Sequence, residues 1–271
     1  MHGPVVKRSR HSPLKAGSPV RIWAGSPNAS NDVSYGASFF VIVIAMVTAL
    51  DRFKEELYGA NYDVASFRVS TMVGTSLKTA SIPIPHVKEV VKAHAKDPEL
   101  DLDSFPLEES VELTLCYFLL SLIKEGTFEK QMAFLQGKLR YANSWEITDS
   151  LQQVIKKAPQ KFFLPFYERF VRSAWTYEKR FAYVYAMRYY RDQDIDIFLK
   201  KLRYDDEYYV GMAQAWMLAT FGITHFEMIK TFLLTPSLPL FLKRKAISKM
   251  RDSYRITSEE KEILKQIRDN F

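Results

Sequence analysis

Four side chains in the C-terminal half of the chain are of types that do chemistry together: Trp145 and Asp149 in SWEITDSL, Arg180 in YEKRFAYVYAMRYYR, and Trp216 in AQAWMLATF. A carboxylate opposes developing positive charge, an indole face attracts cations, and a guanidinium pairs with phosphate or carboxylate. Trp145 and Asp149 stand four apart, so on a helix their side chains share one face. Asn143 followed by Glu146 matches a capping box, which puts Trp145 in the first turn and Asp149 in the second. In the helix YEKRFAYVYAMRYYR, which Arg180 opens, the period brings Arg180, Met187 and Arg191 to one side, with Arg188 flanking. Each of the four also has an ordinary structural reading. A Trp in an apolar helix packs in a core, an Asp near a helix start favours the dipole, and an edge Arg is solvated.

Other chemistries find little support. No GxxxxGK[ST], GxGxxG, GxSxG or HExxH string occurs, so phosphate-binding loops, hydrolase elbows and the common zinc-protease helix are absent from the sequence. The single cysteine, Cys116, lies in VELTLCYFLLSLI, where a thiol acts as a small buried hydrophobe. One cysteine forms no internal disulfide, which suits a cytoplasmic protein. His86 and His94 lie two turns apart on one helix without a third ligand, so they read as surface histidines. No metal or other cofactor is expected. The apolar stretch 37–50 is shorter than the ~18–20 residues that span a bilayer, so no membrane is expected either.

The formal net charge of +7 is unevenly spread: +4 over residues 1–45, −5 over 46–137 and +8 over 138–271. A basic half joined to an acidic half is what a one-sided surface for a polyanion looks like in sequence, although lysines and arginines that merely solvate helices give similar counts.

These residues must be positioned by helices. Twelve prolines and ten glycines, scattered singly, do not supply the regular turns of a sandwich or barrel. The spacing predicts helices over about 46–58, 64–77, 86–96, 108–124, 127–140, 145–157, 160–173, 177–191, 193–202, 207–221, 224–234, 239–250 and 258–269. Pro85, Pro106, Asn143–Ser144, Gly222 and Thr257 mark breaks between them. Helix pairs at a period near 35–40 residues are the arithmetic of an all-α, HEAT-like repeat solenoid. Two segments, YYVGMAQAWMLATFG and VELTLCYFLLSLI, are apolar almost all round and suit helices sandwiched by neighbours. Residues 1–36 mix Pro, Ser, Gly and basic residues without periodicity. The expected organisation is a disordered extension over 1–45, with translation starting at Met46 as one reading of it, then one domain over 46–271.

The runs SWEITDSL, EKRFAYVYAMRYYRDQD, DDEYYVGMAQAWMLATFGITH and FLKRKAISKMRDSYRIT, read together, resemble the AlkD-like DNA alkylation repair family, which are alkylpurine DNA glycosylases built from HEAT-like repeats. The resemblance is clearest over residues 143–257. It implies that Trp145, Asp149 and Trp216 form the catalytic group. It further implies that Arg180, with Lys179, Arg188, Arg191, Lys243, Arg244 and Lys245, holds DNA phosphates. Its implied substrate is double-stranded DNA carrying N3- or N7-alkylated purines, bound by a monomer without drawing the base into a pocket. A non-catalytic binder of damaged or branched DNA, and a helical-repeat protein scaffold, are the competing classes.

Overall fold

Helix starts in this chain are set by short polar caps and by prolines. Ser110 accepts from the Leu113 amide, Thr127 from Lys130, Ser144 from Glu146 and Glu207 from Val210. Thr257 and Glu260 form a reciprocal capping box. Pro83, Pro159 and Pro239 precede three further helices. The computed structural model describes residues 47–69 and 74–270. The expected extension over 1–45 and the start at Met46 lie outside them.

Twelve α-helices result among the described residues: α1 (Ala49–Tyr58), α2 (Ile84–His94), α3 (Val111–Glu125), α4 (Phe128–Lys138), α5 (Trp145–Leu151), α6 (Gln160–Phe170), α7 (Thr176–Ala186), α8 (Asp196–Lys200), α9 (Tyr208–Phe221), α10 (Phe226–Leu233), α11 (Leu240–Asp252) and α12 (Ser258–Asp269). Residues 49–271 group as one compact unit. Within it α3, α5, α7, α9 and α11 each pack on the next to make a continuous row, while α4, α6 and α10 each lie against one member of that row. This layering is that of an all-α helical-repeat array. It accounts for the apolar character of α3, α7 and α9, whose faces are covered on several sides. Phe163, Tyr167, Phe181, Tyr185, Phe198 and Phe221 fill the space between layers. Cys116 is fully buried, and burial pushes its thiol well above the usual range, as suits a core hydrophobe.

The structure corrects the expected helix over 64–77. Asp63 caps a single 3-10 turn, Val64–Ser66, and Phe67 turns extended. Arg68–Val69 (β1) then pairs antiparallel with Lys78–Thr79 (β2), Arg68 opposite Thr79 and Val69 opposite Lys78. The run is rich in Val, Ser and Thr, and Gly74 sits at φ +63, a conformation that L side chains rarely adopt. Its apolar spacing imitates a helical period that the described residues of the run do not sustain. Other helices are shorter than their patterns. The expected helix 145–157 ends at Leu151, 177–191 passes into a 3-10 turn over Met187–Tyr189, and 193–202 shrinks to Asp196–Lys200. His86 and His94 are half-buried ties to α1: His86 contacts the Glu56 carbonyl, and His94 lies 2.7 Å from the Glu56 carboxylate and edge-on to Phe53.

Candidate functional site

Asp149 is reached through a short, well-capped helix. The cap of α5 is Ser144, one residue later than the Asn143 capping box predicts; Asn143 instead accepts a 3.4 Å hydrogen bond from Thr75. Trp145 is therefore the first residue of α5 and Asp149 lies one turn on, on the same face. Facing it is Arg180 from the second turn of α7. Arg180 Nε donates to Asp149 Oδ1 at 2.9 Å and its Nη2 to Oδ2 at 2.6 Å, a two-pronged pairing of guanidinium and carboxylate. The remaining prong, Nη1, donates to the Tyr209 carbonyl in the first turn of α9 at 2.8 Å. Arg180 is 7% exposed. One side chain thus ties α5, α7 and α9 and holds the Asp149 carboxylate in a single orientation.

Trp216 lies in the middle of α9 and is 37% exposed, with the half-buried Met212 and Thr220 one turn to either side of it. It is not a core residue. The amine of Lys249, from α11, sits 5.7 Å from the centre of its ring system. Lys249 is half-buried, and its amine is pushed below the usual lysine range, first by burial and next by the charge of Arg180; Lys245 adds to the depression, while Asp252 and Asp149 oppose it. Asp149, Arg180, Lys249 and Trp216 are therefore electrostatic neighbours drawn from four successive members of the helix row. α9 and α11 pack closely because Gly211 and Gly222 carry no Cβ: one at Gly211 would stand 2.9 Å from the Phe241 ring, and one at Gly222 would run into Met250.

The β1–β2 segment touches this region as well. Gly74 packs on the Tyr209 ring, leaving no room for a Cβ, and its carbonyl accepts a short hydrogen bond from Tyr177 at the start of α7. Burial, with smaller contributions from Tyr209 and Glu207, raises the Tyr177 hydroxyl far above the usual tyrosine range, so it stays a donor. Lys249, Tyr177, Tyr209 and Gly74 were not among the residues expected from sequence. Lys249 stands within KRKAISKMRDSYRI, four after Lys245, and that spacing was the only signal for it.

A family model for DNA alkylation repair enzymes matches residues 65–250. The chain belongs to that family. The matched span contains Asp149, Arg180, Trp216 and Lys249 and places the protein's role in DNA alkylation repair, with DNA as the partner this implies. No curated protein matches the chain.

Cations are the groups that contact DNA phosphates, and the positions of those expected from the sequence differ sharply. Lys179 is ion-paired with Asp205. Arg188 turns inward, donating to the carbonyls of Gln152 at 2.7 Å and Ile155 at 3.1 Å, which closes the turn after α5, and it lies over the Tyr185 ring. The 3-10 turn after Ala186 takes Arg188 and Arg191 out of the helical register of Arg180; Arg191 is exposed and lies over Tyr190. Lys243, Arg244 and Lys245 do not form one cluster, because consecutive helical residues point in different directions. Lys243 is 7% exposed, whereas Arg244 and Lys245 face solvent. No helix among the described residues is long and apolar enough to cross a membrane.

Proposed function

We propose that this family member is a DNA glycosylase that hydrolyses the N-glycosidic bond of N3- or N7-alkylated purines in duplex DNA. The observation that carries the reading is the fixed Asp149 carboxylate, oriented by the two-pronged Arg180 pair, with the partly exposed indole of Trp216 on the helix that Arg180 also ties. An alkylated purine already bears positive charge and leaves as a neutral base, so the reaction needs no strong general acid. Its transition state resembles an oxocarbenium ion. A preorganised carboxylate stabilises that charge and can orient the attacking water. Trp145 and Trp216 offer indole faces to the cationic base and sugar, each worth roughly 0.5–2 kcal/mol depending on desolvation. Arg180 acts as a positioning residue for Asp149. Arg244, Lys245 and Arg191 are the cations of the expected set most open to phosphates, while Lys179, Arg188 and Lys243 serve first to hold the fold around the site.

A second reading, a non-catalytic binder of damaged DNA, draws support from the same pair: both carboxylate oxygens of Asp149 accept from Arg180, and Oδ1 also receives the Thr148 hydroxyl at 3.3 Å. Incubation with methylated duplex DNA separates the two readings. Release of free 3-methyladenine or 7-methylguanine supports the glycosylase; retained DNA binding with no base released assigns the protein to the binders.

A further inference from the structure

Lys88 and Lys92 on α2, and Lys96 in the turn that closes it, line a groove that shares no residue with the Asp149 site. The groove has a volume of about 650 Å³ and runs between α2, the C-terminal half of α3 and the turn after α5. Val91, Leu119, Ile123 and Val154 give it an apolar floor, and Ile123 is 38% exposed. No carboxylate among the described residues lines it. None of the three lysines makes an ion pair or a hydrogen bond among the described residues. Three other surface lysines stand three or four residues from the acid they pair with: Lys200 with Asp196, Lys230 with Glu227 and Lys265 with Glu262. Lys88 and Lys92 instead stand four from each other, a spacing at which like charges repel and destabilise a helix. The helix dipole favours a cation in the last turn, where Lys92 lies, but Lys88 is a turn earlier. Glu89, the one acid within α2, is outside the lining. Solvation of a helix surface therefore does not account for the row.

We infer that this groove is a docking site for an acidic amphipathic helix of a protein partner, with apolar side chains seated on the aliphatic floor and carboxylates meeting Lys88, Lys92 and Lys96. The inference is independent of the glycosylase reading. Charge complementarity carries it: an apolar groove with three unpaired cations on its lining and no acid suits a ligand that is both apolar and negative. The spacing agrees, because the lysines step by about one helical turn, and a helix lying alongside presents carboxylates at the same steps. Helices that dock in grooves use apolar anchors three and four residues apart on one face. The complementary charges set the register and speed of docking. A DNA strand would satisfy the lysines with its phosphates, but it has no apolar side chains to bury on Val91, Leu119, Ile123 and Val154. The floor therefore selects the peptide. Because the groove lies in the half of the chain whose net charge is −5 over residues 46–137, summed charge conceals it.

The test uses the full chain and a fluorescein-labelled synthetic peptide of about five helical turns, with leucines along one face and glutamates flanking them, read by fluorescence anisotropy. Two control peptides replace every glutamate by glutamine or every leucine by serine. The wild type is expected to bind the parent peptide about tenfold more tightly than either control. Lys92→Glu is expected to weaken that binding about fivefold, and the triple variant Lys88→Glu, Lys92→Glu, Lys96→Glu about twentyfold or more. Ile123→Asp, which places a charge on the floor, is expected to weaken it about tenfold. None of these side chains is buried, so the variants should melt with the wild type. Equal affinity of the wild type for the parent and glutamine peptides overturns the inference, as does unchanged binding by the triple variant. Failure of the wild type to bind the peptide, with duplex DNA affinity lost in the triple variant, overturns it in favour of a phosphate-binding groove. A dimer in sedimentation that dissociates on Ile123→Asp, again without peptide binding, overturns it in favour of a second copy of this chain.

Discussion

At the scale of single residues, Asp149 and Arg180 carry two duties that experiments can separate. Asp149→Asn keeps the shape of the side chain and removes its charge. Base release per folded molecule should fall ~10²–10³-fold, the usual effect of losing one preorganised electrostatic contact, with duplex affinity unchanged. The same substitution leaves the buried Arg180 guanidinium without its countercharge. Losing one partner of a buried pair costs about 3–5 kcal/mol, and Asn, which retains one acceptor, should cost less. Single-turnover base release measured beside the folded fraction distinguishes the duties; a loss of activity that merely tracks unfolding gives Asp149 a structural role alone. The companion test is a double-mutant cycle of Asp149→Ala and Arg180→Ala. The double variant should be more stable than the sum of the singles predicts, by about 0.5–3 kcal/mol, because removing both leaves no buried charge unpaired. Strict additivity in urea unfolding would show that the two side chains do not act as a pair.

At the scale of elements, α5 is the weak link, a helix of seven residues on which Trp145 and Asp149 depend. Ser144→Ala removes its cap, which is expected to cost about 1 kcal/mol and to reduce base release beyond the loss of stability, since the whole helix loses its anchor. Identical melting temperatures and activity would mean that packing alone holds α5. Glu146, the next residue, gives a pH signature. Burial first, and the neighbouring Glu112 second, raise its carboxyl above the usual value. The folded state therefore binds this proton more tightly than the unfolded chain does. The resulting stabilisation is complete below the ordinary glutamate pKa and is lost as pH rises through the raised folded value. At neutral pH the charge is a net cost, so Glu146→Gln should melt higher than wild type, by about 2–4 °C for each 1 kcal/mol relieved. The difference should vanish once the pH falls below about 4.3. A variant that melts lower at neutral pH would show that the charge stabilises the start of α5 more than burial penalises it.

At the scale of the whole molecule, net charge is a poor guide to the surface proposed to hold DNA, because so many of the cations are already engaged. Lys179 pairs with Asp205, Arg188 caps two carbonyls and Lys243 is buried, whereas Lys245 faces solvent. Lys245→Ala should weaken binding to damaged and undamaged duplexes alike and reduce the slope of log affinity against log salt by about one. Arg188→Ala should instead lower the melting temperature and leave that slope alone. Equal salt slopes for wild type and Lys245→Ala would remove Lys245 from the interface.

Much of this protein is legible in one dimension. The helical period, the caps at Thr257 and the Asn143–Ser144 break, and the all-round apolar character of α3 and α9 depend on neighbours a few residues away, so local pattern determined an all-helical array and placed most of its members. The i, i+4 spacing of Trp145 and Asp149 determined that they share a face for the same reason. Distance along the chain hides the rest. Whether Arg180 meets phosphate or carboxylate depends on what α5 and α9 bring to it from 31 and 29 residues away, and Trp216 could be told from a core tryptophan only once the packed helices left it 37% exposed. Residues 64–77 deceived the pattern because their Val and Thr spacing imitates a helix, whereas Arg68–Val69 pairs with Lys78–Thr79 just beyond the run and β-branched residues favour the extended chain. Lys249 gained its surroundings entirely from helix packing: a lysine's burial, and the charges that face it, are properties of the assembled row and not of its own helix.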